Sequence, residues 1–214
     1  MHNAAEKTIT FNAGAVAGTE SVEPAISRED KIEIIARHFR IIIETLGLDP
    51  SDDSLLETPH RVARMYVDEA FRGLNPDNFP RIALFPNTSY SGMLIERDIN
   101  VYSYCEHHFV PIIGRAHIAY YPGRNIIGLS KIHRLVQHFS KRPQVQERLT
   151  REIGEALSDV LGHDNVGVII EATHFCVASR GVEDTNSETV TTWFNGRFND
   201  ANEQKSFFEM IRLK

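Results

Sequence analysis

The 214-residue sequence has only two cysteines, Cys105 and Cys176. In a secreted protein they could pair; in a cytosolic one they would be metal ligands, catalytic groups or inert core residues. No apolar run approaches the ~20 residues needed to span a bilayer. The N-terminal stretch lacks a basic start followed by an apolar block, so it does not read as a secretion signal, and cytoplasm is the expected compartment. There is no basic excess: the formal net charge is −6. That argues against a general nucleic-acid binder, while leaving room for a local basic pocket that takes a small anion. Internal repeats and low-complexity blocks are also missing. What remains is an ordinary globular composition, 42% hydrophobic and 24% charged, with enough chain for one substantial domain and an appendage or for two small ones.

Residues 1–26 are small and polar and read as a flexible arm. Residues 27–92 read as a helical unit with a connection, and residues 93–214 as the catalytic body. Ser27 can cap a helix in which Ile32, Ile35, Phe39, Ile42 and Leu46 recur at three and four residues, ending at Gly47. Thr58-Pro59 opens a second helix that Gly73 stops. Residues 76–92, rich in Pro, Asn, Ser and Gly, look like a connection. Ile95, Ile99, Val101, Ser103 and Cys105 then share one parity, as a strand would place them. A strand over 115–121 and helices opening at Leu129-Ser130 and near Val145 follow, the latter closed by Gly162. In NVGVIIEATHFCVAS, Val166, Val168, Ile170, Ala172, His174 and Cys176 are expected on one strand face. Thr189 and Thr191 mark a last strand and Phe207–Ile211 a short terminal helix. This order predicts an α+β fold, an antiparallel sheet with two helices on one face. Such a sheet leaves edges on which copies of the chain can pair.

The chemistry concentrates in SYCEHHFVPIIG, residues 103–114. Cys105 and His108 put a thiolate and an imidazole three residues apart, which a tight turn can aim at one point. Alone, a C-x-x-H run is more often incidental. Cys176 changes the balance, because His174 lies two residues before it. The competing readings are a buried core cysteine and a disulfide. Two cysteines and one histidine would be a three-ligand set of the catalytic type, acidifying a bound water toward pKa ~7. The spare histidines would then handle protons. In GLSKIHRLVQHFSKRPQVQERL, Gly128 permits a close turn and Ser130 can cap the helix, whose start would favour a phosphate beside Lys131 and Arg134. Arg180 could join them. These charges could equally be solvated surface groups. Glu147, in VQERL, could be an exposed helix residue; its two acceptor oxygens also suit the paired donors on one edge of guanine.

The segments ETPHRVARMYVDE, CEHHFVPIIGRAHIAYYP, IGLSKIHRLVQHFSKRPQVQERLT and HFCVASRG, followed by NSETVTT, resemble GTP cyclohydrolase I of the bacterial type, over about residues 27–198. The resemblance implies the tunnelling fold and a zinc ion held by Cys105, His108 and Cys176. It implies acid–base roles for His107 and His174, and Ser130 at the ribose. Lys131, Arg134 and Arg180 would hold the triphosphate, with Arg61 supplied by a neighbouring subunit. Glu147 would read guanine with Gln146 beside it. The implied reaction opens the guanine ring of GTP at C8, releases formate and yields 7,8-dihydroneopterin triphosphate, the entry to folate and pterin synthesis. The implied assembly is a decamer of two stacked pentameric rings.

The chain departs from the family pattern at Trp193 and Asn195, which would alter local packing or an interface. His133 and His138 also fall outside that pattern and are expected on the helix surface. Two other readings compete: a non-catalytic, zinc-stabilised assembly protein of the same fold, and a related enzyme acting on a deazapurine, in which a cysteine would be the nucleophile.

Overall fold

The computed structural model describes residues 26–212, so the expected arm lies outside the described residues apart from Ile26. Helix α1 (Arg28–Thr45) begins as expected: the Ser27 side chain accepts from the Asp30 amide, and Glu29 and Asp30 fill the first turn. Helix α2 (Thr58–Arg64) starts at Thr58 itself, with Glu57 at the cap position and no side-chain cap. It continues as a wider π-helical turn over Met65–Ala70. Ile32 and Ala36 of α1 close on Ala63 of α2, and Arg28 forks onto Asp68 at 2.7 and 2.6 Å.

The connection is not a plain linker. It contains strand β1 (Leu84–Pro86), which pairs with β4 (Asn125–Ile127), and Ile82 and Leu84 enter the main core. The principal sheet contains β2 (Leu94–Cys105), β3 (Pro111–Tyr120), β5 (Pro143–Gln144), β6 (Val166–His174) and β7 (Thr189–Phe194). Its order is β5-β2-β3-β6-β7, antiparallel except for the two-residue parallel pairing of β5 with β2.

Helices α3 (Leu129–Ser140) and α4 (Gln146–Leu161) cover one face, as the pattern predicts. Ile132, Leu135, Val136 and Phe139 of α3, and Leu149, Ile153, Leu157 and Val160 of α4, meet Ile118, Val166, Val168 and Ile170 of the strands. Each such burial is worth about 1.5–3 kcal/mol relative to exposure, which makes this layer the main apolar core. Part of the opposite face is also covered: Ala119 and Ile169 receive Phe207 from α6 (Ala201–Arg212) and Phe198 from the turn before it.

Two parity expectations fail for a local reason. Between Glu96 and Ile99 the β2–β3 register slips by one residue, with Asp98 at φ 58°. This bulge sends Ile95 to the α6 side while Ile99 stays on the α3–α4 side. At the other end β6 stops at His174, and Phe175–Ala178 form a single helical turn, α5. Cys176 is therefore not on the strand face.

The departures at 193 and 195 also gain an account. Trp193 lies flat on α4 at Gly154, where an added Cβ would stand 2.2 Å from the ring. The Asn195 side chain accepts from the Gly196 amide and steers the turn after β7. His138, expected on the surface, is buried; its Nε2 accepts from Arg142 at 2.7 Å.

Candidate active site

The strand register assembles the site. Residues 105–110 form the tip of the β2–β3 hairpin, closed by Cys105 N–H to Val110 O at 2.9 Å and Phe109 N–H to Cys105 O at 2.8 Å. Phe109, at φ 53°, lays its ring against Tyr66 and Phe71 and ties the tip to the helical unit. Ile112 pairs with His174 across β3 and β6. The chain leaving β6 therefore runs beside the hairpin tip, and the α5 turn carries Cys176 to it. On the other side, Cys105 pairs with Gln144 of β5, which delivers the start of α4 to the same place.

The metal-donor atoms of Cys105, His108 and Cys176 all lie within 4.8 Å of one another. Cys105 Sγ is 3.9 Å from His108 Nδ1. A tetrahedral zinc would set such donors about 3.6–3.8 Å apart, close to the Cys105–His108 separation. The electrostatics agree: burial, and then the neighbouring Cys105, push the Cys176 thiol up. A divalent cation beside such a thiol stabilises it as the thiolate. The donor set therefore fits a soft, borderline metal ion. His107 stands exposed beside the cluster, its Nδ1 3.7 Å from Cys105 Sγ. Arg180 reaches its rim, with Nη1 3.0 Å from His108 Nε2.

His174 is held from behind. Its Nε2 lies 2.7 Å from Gln146 Oε1. The Gln146 amide nitrogen donates to Ile170 O, Thr189 O and Thr191 Oγ1 at 2.9–3.0 Å. Two of those partners are carbonyls that can only accept, so the amide orientation is fixed. Its oxygen must face His174, and His174 Nε2 must carry the proton. Burial lowers the His174 pKa, which nearby Glu147 partly offsets. Gln146, expected beside guanine, thus has a fully buried side chain with both ends of its amide engaged inside the protein.

Glu147 is exposed on the first turn of α4. Lys131, Arg134 and Ser130 occupy the first turns of α3. Gly128 holds the cap position there, and Ser130 lies inside the helix without capping it. Packing explains the glycine: a Cβ at 128 would sit 3.1 Å from the Phe85 ring. Arg61 stands exposed on α2. Among the described residues no hydrogen bond or ion pair links Ser130, Lys131, Arg134 or Arg61 to the cysteine–histidine cluster. Glu106, Gln144 and Arg148, which bind the hairpin tip to α4, escaped sequence reasoning. Only their adjacency to the motif residues could have flagged them.

The family model described as GTP cyclohydrolase I matches residues 35–212. The protein named GTP cyclohydrolase 1 from Flavobacterium johnsoniae is 49% identical over 189 residues, covering 88% of this chain and 85% of that relative. The one from Aeromonas salmonicida is 52% identical over 181 residues, 84% of this chain and 83% of the relative. That of Salmonella arizonae is 50% identical over 189 residues, 87% and 85%. A solved structure of an archaeosine synthase QueF-like protein in the apo form overlaps 50% of this chain and 94% of its own, with a TM-score of 0.38 and 13% identity. The family match spans the hairpin tip, the start of α4 and the α5 turn, the three places from which the site is built, and the chain belongs to the GTP cyclohydrolase I family.

Proposed function

We propose that the protein hydrolyses and rearranges GTP to 7,8-dihydroneopterin triphosphate, releasing C8 as formate, with zinc held by Cys105, His108 and Cys176. The convergence of those three donors within 4.8 Å is the observation that carries the reading. When bound, the ion supplies Lewis acidity that activates water at neutral pH.

The chain's own residues do the rest. Glu147, exposed at the start of α4 and close enough to influence His174, accepts from the N1–H and 2-amino donors of guanine. That contact turns the imidazole edge of the base toward the cluster. His107, beside Cys105, and His174, fixed by Gln146, sit where protons must reach N7 and leave the ring as it opens. Ser130 is assigned to the ribose. Arg180, Lys131 and Arg134 receive the triphosphate, whose binding energy aligns the distant reacting carbon. Arg61 completes that contact from a neighbouring subunit, in a decamer of two stacked rings. We place the reaction in the cytoplasm, where the two free cysteines persist as thiols, and assign its product to folate or pterin synthesis.

The test is anaerobic purification, metal analysis and incubation with GTP. Formate and a neopterin chromophore should appear together, and both should vanish in Cys105→Ser and Cys176→Ser along with the metal. Normal turnover in either variant would overturn the proposal.

A further inference from the structure

Glu106 sits inside the metal-binding turn without being one of its donors. One oxygen of its carboxylate pairs with Arg148 Nη2, and the other faces His107 Nε2 at 3.9 Å. Its backbone amide donates to Gln144 O at 3.0 Å. Arg148 follows Glu147 on the first turn of α4. Its Nε donates to Gln144 Oε1 at 3.0 Å, and Nη2 also approaches Pro143 O at 3.4 Å.

Gln144 is itself fixed. It is 1% exposed, and its amide nitrogen donates to Phe139 O at 3.1 Å and to Glu152 at 2.9 Å. Neither of those groups donates in return while Glu152 is ionised, so the Gln144 oxygen must face Arg148. The guanidinium is therefore aimed from behind by a buried amide and holds the hairpin tip in front.

We infer that Arg148, acting through Glu106, is a positioning residue for the metal turn: it holds Cys105, His107 and His108 in their binding arrangement and keeps that turn in register with the helix start that carries Gln146 and Glu147. The inference rests on the metal reading of the cluster. Its physical basis is preorganisation. The tip is a hairpin loop with both histidines exposed, and a loop that must be ordered during binding loses affinity. Partners beyond the ligands typically account for tenfold to hundredfold in metal affinity. By contrast, an ion pair about one-third exposed on each side contributes little to folding. Loss of the ion pair alone should therefore appear in metal affinity and leave fold stability nearly untouched, whereas removing Arg148 also strips the buried Gln144 oxygen of its donor and should lower stability as well. Glu106 is acceptor-only and Arg148 donor-only, so removing either should break the same contact, and removing both should cost no more than removing one.

The experiment uses full-length protein stripped of metal under reducing, anaerobic conditions. It is titrated with Zn2+ against a chromophoric chelator, and with Co2+ to follow thiolate charge-transfer bands. Arg148→Met and Glu106→Ala, which leave no donor or acceptor for the pair, should each weaken Zn2+ binding by about tenfold or more, and the double variant should match the singles. Arg148→Lys should recover part of the loss, because lysine keeps the charge but cannot donate to Gln144 and Glu106 in one rigid fork. The metal-free unfolding midpoint should stay at the wild-type value in the Glu106 variant and fall in the Arg148 variants, which leave the Gln144 oxygen unpaired. Unchanged Zn2+ affinity in either single variant would overturn the inference, as would additive losses in the double variant or, in the Glu106 variant, a loss matched by falling metal-free stability. A wild-type protein that bound Co2+ without charge-transfer bands would instead overturn the metal reading itself.

Discussion

Replacing Gln146 with Met keeps the length and bulk of a fully buried side chain and removes four hydrogen bonds. Three are donations at 2.9–3.0 Å to Ile170 O, Thr189 O and Thr191 Oγ1, and one is the 2.7 Å contact to His174. A buried acceptor left without its donor costs about 1–3 kcal/mol. Thr191 keeps its partner Thr150 at 2.6 Å, so two strand carbonyls bear most of the loss. A destabilisation of about 2–4 kcal/mol, read as a shift in urea midpoint, is expected. The larger effect should be catalytic. Without Oε1, His174 can turn its ring and change tautomer, and a general acid–base group contributes about 10²–10⁴-fold. The expected result is a fall in kcat of about 10²-fold with KM for GTP within a few-fold, measured by formate release at a temperature where the variant is folded. Gln146→Glu separates the two effects. It retains an acceptor for His174 but sets a carboxylate against two carbonyls, so stability should fall further and kcat less. A folded Met variant with kcat within twofold of wild type would refute the positioning argument. So would a rise in KM with kcat unchanged, which would mean that Gln146 contacts the substrate directly.

Three more outcomes follow from the same structure. His138 accepts from Arg142 at 2.7 Å, and burial, then the Arg142 charge, lower its pKa to about 4 from 6.5. Between those values the unfolded chain binds the proton and the folded chain does not. The contribution, at most about 3 kcal/mol, is therefore present above pH 6.5 and lost as pH falls toward 4. His138→Gln should flatten the urea-midpoint slope over that window, and parallel slopes would exclude it. Gly154→Ala should lower the melting temperature, at a cost of about 1–3 kcal/mol, because its Cβ would meet the rigid Trp193 ring; adding Trp193→Leu should recover most of that loss. Glu147→Ala should bring kcat/KM for GTP down to near that for inosine triphosphate, which lacks the 2-amino group, with metal content unchanged; retained discrimination would move guanine reading elsewhere.

Much of the layout was legible because periodicity records burial. The apolar stripes of α3 and α4 and the alternation of β6 each describe one face of one element, and the structure places those residues in one core. The failures came where a local feature interrupted the period. The bulge at Asp98 inserts a residue that no hydrophobic alternation reveals, because both faces of the strand are apolar there: Ile95 packs on the α6 side and Ile99 on the α3–α4 side. His138 looked like a surface group because a single histidine on a helix carries no sign of the Arg142 and Asn78 partners that accept it in the interior. The Gln146 hydrogen bonds were invisible for a related reason: all four of their partners belong to strands more than twenty residues away.

The cluster at Cys105 shows how a conclusion can hold while its premise fails. Alternation along one strand placed His174 and Cys176 side by side, and from that the second cysteine was expected to join the first. The strand actually ends at His174, and a helical turn follows. What brings Cys176 to Cys105 is the pairing of Ile112 with His174, which sets the end of β6 against the beginning of β3. Had β6 continued, Cys176 would have run past the hairpin tip in extended form. The turn lets the two thiols converge while aiming His174 back toward α4, where Gln146 holds it. One change from extended to helical backbone thus separates the residue proposed to move protons from the residue that would bind the ion.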